Sequence, residues 1–422
     1  MPCTPAIPTN RMAEVRRRVI FECCKWDPQV GDINVLADFA VVLSSEQWNE
    51  LRALAEALYA ETFLAELEIA GRWDLLKRVA LPQKLARVLR NGQARMTAAD
   101  NAVRVMRFDF HPVLNGWRVT EVNSDVPGGY IEAVGFAELM REELLRVGIE
   151  LLLAGNPAEK IAECLRENLT NGGHVALVHA TAYTDDLQVM MFLQRFFEKY
   201  GFTVTLSSPD QIVWRDGASF IYDGMQEKKI DAIFRFFPAE WLPNLDGDKW
   251  KNFFLPAKFP RTLLINPGNA IVSQTKCFPF AWSGLASGAP DMWSRLIPET
   301  RPLDGTERGW LTRLFKLARL PDDAEWLLKP ALGRVGEDIG FSGVTPLDDL
   351  ARIRKECQLY PLQWVAQRKF KSAPVLTPHG NRHICIGVYV INGCACGIYG
   401  RISQQPLINH LAQDVAVLVK PE

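Results

Sequence analysis

Four side chains within residues 105–123 could together hold a hard cation and a phosphate. In VMRFDFHPVLNGWRVTEVN, strand alternation puts Arg107 and Asp109 on one side of a first strand and Met106, Phe108 and Phe110 on the other, while Glu121 and Asn123 share a side of a second. Carboxylate and amide oxygens suit Mg²⁺, which usually keeps one or two protein carboxylates beside substrate phosphates, and the guanidinium adds a fork matched to phosphoryl oxygens. Register decides whether the two polar sets meet. A two-residue Asn115-Gly116 turn would set Asp109 opposite Val122. A three-residue Leu114-Asn115-Gly116 loop with a left-handed glycine sets Asp109 opposite Glu121 and Arg107 opposite Asn123. The second register is the expectation, against the plain alternative of a half-exposed hairpin with ordinary cross-strand ion pairs.

Two lysines lie in related settings. Lys276 sits in NPGNAIVSQTKCF, and Lys329 ends a strand in EWLLKPALGRVGEDIGF, ahead of a loop with Gly333, Arg334, Val335 and Gly336. An ammonium beside mobile backbone N–H donors suits phosphate oxygens, whereas the competing reading is a surface lysine before an ordinary loop.

These residues need elements to hold them. Apolar residues recur at helical spacing over 46–71, over 82–89 with Gly92 as a stop, and over 130–154, so the first hundred residues read as helices and the hairpin interrupts a helical region. From Gly172 the pattern changes to strand (HVALVHA), amphipathic helix (185–200), strand (202–206) and a further strand (230–236), a βαβ pattern with a mainly parallel sheet. The loop at 181–185 lacks the GxGxxG fingerprint, which argues against a dinucleotide, and Asp185 reads as a helix cap. The last third mixes short strands with turns and ends in an antiparallel hairpin around Asn392-Gly393. The expected class is α/β with α+β character: an N-terminal helical region over 1–170 carrying the hairpin at 105–125, a Rossmann-like subdomain over 171–270 whose strand ends would face a substrate, and a last region over 271–422, which the family resemblance given below implies to be nucleotide-binding lobes.

At 422 residues and 48% hydrophobic, two or three packed subdomains are expected. The 48 basic and 49 acidic residues leave a net charge of -1, which gives no general reason to bind nucleic acid or an anionic membrane, so any phosphate site must be local. Nine cysteines without a framework pattern point to reduced thiols in a cytoplasmic protein. Cys23-Cys24 and the pair Cys394 and Cys396 lack the spacing of a zinc or redox site. No segment approaches the roughly 18 apolar residues of a membrane helix, and the run after Arg16, Arg17 and Arg18 is too short for a secretory signal.

Across most of residues 100–419 the chain resembles the ligase domain of glutathionylspermidine synthase and its relatives, a circularly permuted branch of the ATP-grasp enzymes. The family's Arg-Phe-Asp followed by Glu-x-Asn-x-Asp-x-Pro matches Arg107, Phe108, Asp109, Glu121, Asn123, Asp125 and Pro127. The resemblance implies ATP-grasp lobes in which Asp109, Glu121 and Asn123 hold Mg²⁺ against ATP phosphates and Arg107 stabilises the transferred phosphoryl group. It also implies that Lys276, after Asn266-Pro267, and Lys329, before Gly333 and Gly336, bind those phosphates. Trp364-Val365-Ala366-Gln367 resembles the strand that receives adenine, with Gln367 as its side-chain contact, and Arg401 resembles the arginine near the transferred phosphate. The chain departs from the pattern at Val335, at Glu337-Asp338 and at 402–405, and its first hundred residues carry no Cys-His amidase setting.

The implied activity is ATP-dependent joining of a small-molecule or peptide carboxylate to an amine through an acyl phosphate; the alternative class is a non-catalytic ATP-binding or sensing protein on the same fold. Because the amine must arrive unprotonated, a carboxylate beside it would help, and Asp125 and Glu240 are the candidates, with Arg235 as a partner for the substrate carboxylate or a buried strand ion pair. The partners expected are thus small molecules, with a homo-oligomer compatible and neither nucleic acid nor membrane indicated.

Overall fold

Along the strand Gly380–Ile391, Ile384, Ile386, Val388 and Val390 point into one core while Tyr389 and Ile391 point into another. The same alternation runs through Leu36–Leu43 and Gln413–Val419, whose odd and even residues divide between the two cores. A sheet apolar on both faces must be covered on both. The 27-residue helix Ser45–Gly71, opened by a capping box between Ser44 and Gln47, packs on one face, and helix Ala137–Arg146 packs on the other. The computed structural model describes the chain except residues 31–32, 92–101, 170–171, 225, 304–319, 334–335, 337 and 422.

The sheet's central path runs Leu36–Leu43, Gln413–Val419, Cys394–Ser403, Gly380–Ile391, Val105–Val113, Gly116–Asn123. Every pairing along it is antiparallel except the first, which is parallel. The expected hairpin turn is present, with Asn392 and Gly393 at φ 47° and 85°, the left-handed pair a two-residue primed turn requires. The reading of the first hundred residues as helices misses Leu36–Leu43. That strand is apolar on both sides because both faces are buried, so it lacks the alternation that identifies a half-exposed strand.

A second sheet is parallel throughout, in the order Ala102–Val103, Leu263–Ile265, Ala232–Arg235, His174–Val178, Thr203–Ser207. Helix Thr184–Lys199 crosses between its last two strands, and Gly201 follows at φ 91°. The expected βαβ unit is therefore observed. Asp185 lies in that helix's first turn, while the cap position is Tyr183 without a side-chain cap. The helix expected to reach Ala154 stops at Arg146, where Gly148 turns left-handed at φ 79° and the Ile149 N–H donates to Leu144 O at 3.0 Å. That closure releases Leu152–Leu153 to pair with Gln413–Val419. A third, antiparallel sheet joins Thr300–Pro302, Trp364–Arg368 and Trp326–Pro330, over a small core of Trp326, Leu328, Ile353 and Trp364.

Leu418 is fully buried, on the strand paired with Leu36–Leu43 and in the core that helix Ala137–Arg146 covers. Leu418→Ala should therefore lower unfolding free energy by about 2–5 kcal/mol, measured by urea denaturation.

Candidate functional site

The hairpin arrives at its expected register by an unexpected route. Its turn has neither proposed form, because Val113 pairs with Gly116 and the loop is Leu114-Asn115. Taken alone, that turn would displace the polar set by one residue. A β-bulge restores it: Phe110 pairs with Val119 and Phe108 with Val122, so Thr120 and Glu121 together face Asp109, and Arg107 pairs with Asn123. Asp109 is thereby held on two sides, by Arg107 Nε and Nη2 at 2.8 and 3.0 Å and by Asn123 Nδ2 at 3.0 Å.

Gly387, paired with Asp109 on the neighbouring strand, makes room for this cluster. A Cβ there would come within 2.7 Å of Arg107 Cδ and 3.0 Å of Asp109 Oδ1. Arg107 also donates to Gly128 O at 2.6 Å and lies 4.9 Å over the Tyr399 ring.

Lys276 and Lys329 face the hairpin from other segments. Lys276 Nζ lies 3.0 Å from Glu121 Oε2 and donates to Gly333 O at 2.8 Å, and its N–H donates to Ala331 O at 2.8 Å, so the lysine and the glycine-bearing loop are fastened together. Gly336 has φ 66° and faces the Ile408 carbonyl so closely that no Cβ fits. Residues 334, 335 and 337 lie outside the described residues. Lys329 is the penultimate residue of Trp326–Pro330 and Gln367 lies on the adjacent strand, donating Nε2 to Thr300 Oγ1 at 3.0 Å. Arg401 donates Nη2 to Asn409 O at 2.7 Å and Ala412 O at 3.2 Å.

One cleft of about 420 Å³ collects ten of the expected residues: Arg107, Asp109, Glu121, Asn123, Lys276, Lys329, Gly333, Gly336, Gln367 and Arg401. Burial alone would raise the Glu121 carboxyl, but Lys276 and Lys329 outweigh it and hold it down at about 2. Burial strips Lys329 of solvent and lowers it to about 8, against the pull of Glu121. Burial, with Lys329 beside it, takes His111 down to about 4, so its ring is neutral. Two of the site's cations are paired to its carboxylates, Arg107 to Asp109 and Lys276 to Glu121.

Three weaker candidates fall elsewhere. Asp125 and Arg235 are fully buried and bound to each other at 2.5 Å, with the Ala239 N–H on the second Asp125 oxygen at 2.9 Å. This corrects the substrate reading of both: their side chains knit the segment after the hairpin to the parallel sheet, and the sequence contains no sign of which acid would be buried. Glu240 is not among the cleft residues, although Phe236, Pro238 and Trp241 around it are. The acids that do line that end are Asp185 and Asp186, at the carboxyl end of the parallel sheet. Reasoning from sequence also misses His111, Tyr399 and Lys369 in the cleft. His111 was findable, because it continues the alternation from Arg107 and Asp109; Lys369 and Tyr399 needed the packing of the lobes.

The donor set fits a hard divalent cation shared with a ligand. Among the described residues no three His, Cys, Asp or Glu side chains gather to hold a metal, so a cation at Asp109, Glu121 and Asn123 would take further oxygens from phosphate or water, the habit of Mg²⁺.

The family described as glutathionylspermidine synthase preATP-grasp matches residues 14–420. No curated protein matches the chain. Among solved structures, a glutathione synthetase-like effector from Globodera pallida, in apo form, superposes with a TM-score of 0.60 at 12% identity over 100% of each chain. Another, called a gamma-glutamylcysteine synthetase, from Methylobacillus flagellatus, gives 0.43 at 12% identity over 82% of this chain and 88% of that one. The first likeness is one of fold and agrees with the ATP-grasp-like α/β architecture expected. No described helix is long and apolar enough to cross a membrane.

Because Asp125 neutralises a fully buried guanidinium, Asp125→Ala should cost about 3–5 kcal/mol of stability, read by chemical denaturation. A fully stable Asp125→Ala protein would return this residue to the list of substrate contacts.

Proposed function

Since the chain belongs to the glutathionylspermidine synthase preATP-grasp family, whose fold it shares, we propose that this ligase joins a carboxylate to an amine at the expense of ATP, through an acyl phosphate. The observation that carries the reading is the convergence of ten expected residues, from five separate chain segments, on one cleft. In this reading Lys276 and Lys329 bind phosphate oxygens, Gln367 meets adenine, and Arg107 and Arg401 neutralise the phosphoryl group as it passes to the substrate carboxylate. Phosphoryl transfer asks a protein mainly for positioning and charge neutralisation, so no nucleophilic side chain is needed.

Asp109, Glu121 and Asn123 would hold Mg²⁺, whose contribution is to neutralise the phosphates and polarise the bond that breaks. The ion pairs Arg107–Asp109 and Lys276–Glu121 suit this role through exchange of partners. With metal and nucleotide bound, Asp109 and Glu121 could turn to the metal while Arg107 and Lys276 turn to phosphate, so that neither pair would leave a charge buried alone. At the far end of the cleft, Asp185 and Asp186 would orient the amine and take its proton, the task first assigned to Asp125 and Glu240. The amine then displaces phosphate from the acyl carbon.

The direct test is phosphate release from Mg²⁺ and ATP across pairs of carboxylates and amines, starting with glutathione and polyamines. Release that needs both substrates supports ligation, and release independent of the amine argues against it. Asp109→Ala should lower turnover by about 10²–10³-fold with the circular-dichroism spectrum preserved; undiminished turnover would remove the metal assignment. Lys329 gives a pH signature. Its value is lowered from 10.5 to about 8 in the free protein, and phosphate beside it would raise it again. Between those values the free protein lacks a proton that the complex holds, so nucleotide binding should take up protons and weaken as pH rises through that window. Calorimetry near pH 9 in buffers of different ionisation enthalpy should detect the uptake, and Lys329→Met should abolish it.

A further inference from the structure

Behind the cleft lies a buried charge cluster that the proposed chemistry does not use. Lys25, 6% exposed, follows the helix Thr9–Cys23. Its Nζ donates to Glu132 Oε1 at 2.6 Å and lies 3.3 Å from Asp414 Oδ2; Asp27, at 3.7 Å, is half in solvent. The lysine is held from both sides along the chain, since its own N–H donates to Val19 O at 3.1 Å and the Trp26 N–H donates to Gln188 Oε1 at 2.8 Å. The other oxygen of Asp414 meets two residues that line the cleft. Oδ1 accepts from Tyr399 OH at 2.9 Å and lies 3.8 Å from Arg401 Nε, an atom that is buried and has no hydrogen-bond partner among the described residues.

The sum of charges is what makes this more than a packing detail. Glu132 and Asp414 are the two enclosed carboxylates, with Asp27 at the half-exposed edge beside Lys25, and Lys25 and Arg401 are the two cations that answer them. Without Lys25, Arg401 alone would face both acids in a region of low dielectric, where such attraction is strongest. Its guanidinium would be drawn back from the cleft, and its charge would be spent before a phosphoryl group reached it. Tyr399 would follow, because its hydroxyl is bound to the same carboxylate and its ring lies under Arg107.

We propose that Lys25 is a positioning residue that occupies Glu132 and Asp414 so that Arg401 keeps its charge for the transferred phosphoryl group. This rests on the ligase reading above, and the test separates the two without needing the unknown substrates. The wild-type protein with Mg²⁺ is titrated calorimetrically with ADP, and with ADP plus aluminium fluoride as a mimic of the phosphoryl group in flight. Wild type should bind ADP and bind it more tightly with aluminium fluoride. Lys25→Met should bind ADP within about twofold of wild type yet lose about tenfold or more of the added affinity, the usual effect of removing a partner behind a ligating group. Lys25→Arg should retain the gain, and Lys25→Met combined with Glu132→Gln, which restores the balance, should recover it. If Lys25→Met does not fold, Lys25→Arg and Glu132→Gln decide, both being expected to match wild type. A Lys25→Met protein that keeps the full gain, or a double variant no better than the single, overturns the inference as a charge effect. Wild type that binds ADP but gains nothing from aluminium fluoride overturns it while leaving the nucleotide site standing. Wild type that binds no ADP overturns the ligase reading and this inference with it.

Discussion

The Arg107–Asp109 pair is the interaction to which the rest of the cleft is fitted. Its two members stand on the same face of one strand, two residues apart, which places them side by side but leaves no space above the neighbouring strand. Gly387 supplies that space, and the bulge at Thr120 and Glu121 supplies the facing acid. A bulge costs ladder hydrogen bonds and a strand glycine costs chain entropy, so both features run against the stability of the sheet. They stand together at the point where the sheet faces the cleft, which is where such departures from regular structure are expected.

A second set of bonds fixes the cleft against its surroundings. Asn266 receives the Val105 N–H at 2.7 Å and donates to Val105 O at 2.8 Å, reproducing with a side chain the pairing a further strand would make. Gln274 accepts the N–H groups of Ser124 and Asp125 at 2.9 and 3.1 Å, two residues before Lys276. The Asp125–Arg235 pair closes the same junction. Polar groups buried this deeply are tolerable only when fully partnered, and the partnering ties the hairpin, the parallel sheet and the lysine segment into one unit. The family motif therefore mixes two kinds of residue. Asp109, Glu121 and Lys276 face the cleft, whereas Asp125 and Asn266 build the frame around it.

That mixture explains what could be read from the sequence. Alternation alone set Arg107 and Asp109 on one side and Phe108 and Phe110 on the other, and the parallel sheet with its helix at 184–199 followed from a change of period. The cleft residues were legible as types because the chemistry proposed for them, phosphate and metal binding, restricts the choices. Asp125 was misread because an acid in a motif looks the same whether it meets solvent or a buried arginine. The bulge was hidden because a turn of two residues and one of three differ only in backbone geometry, and Leu36–Leu43 was hidden because its pairing partner lies at 413–419. Lys25 belongs to the same class: nothing local marks a lysine whose partners are Glu132 and Asp414.

The parallel pairing of Leu36–Leu43 with Gln413–Val419, sealed by the Lys420 N–H on Leu43 O at 2.9 Å, also governs the order of assembly. During synthesis the hairpin at 105–123 emerges long before its neighbour at 380–391, and Met106, Phe108 and Phe110 have no sheet to complete until then. Pairings so distant along the chain form slowly and leave strand edges and apolar side chains open to mispairing. The parallel sheet can form from residues 174–265 in the meantime, apart from its two-residue edge at 102–103. The nascent polypeptide thus passes a prolonged interval with an unsatisfied β-edge, a natural demand for chaperone protection on the ribosome.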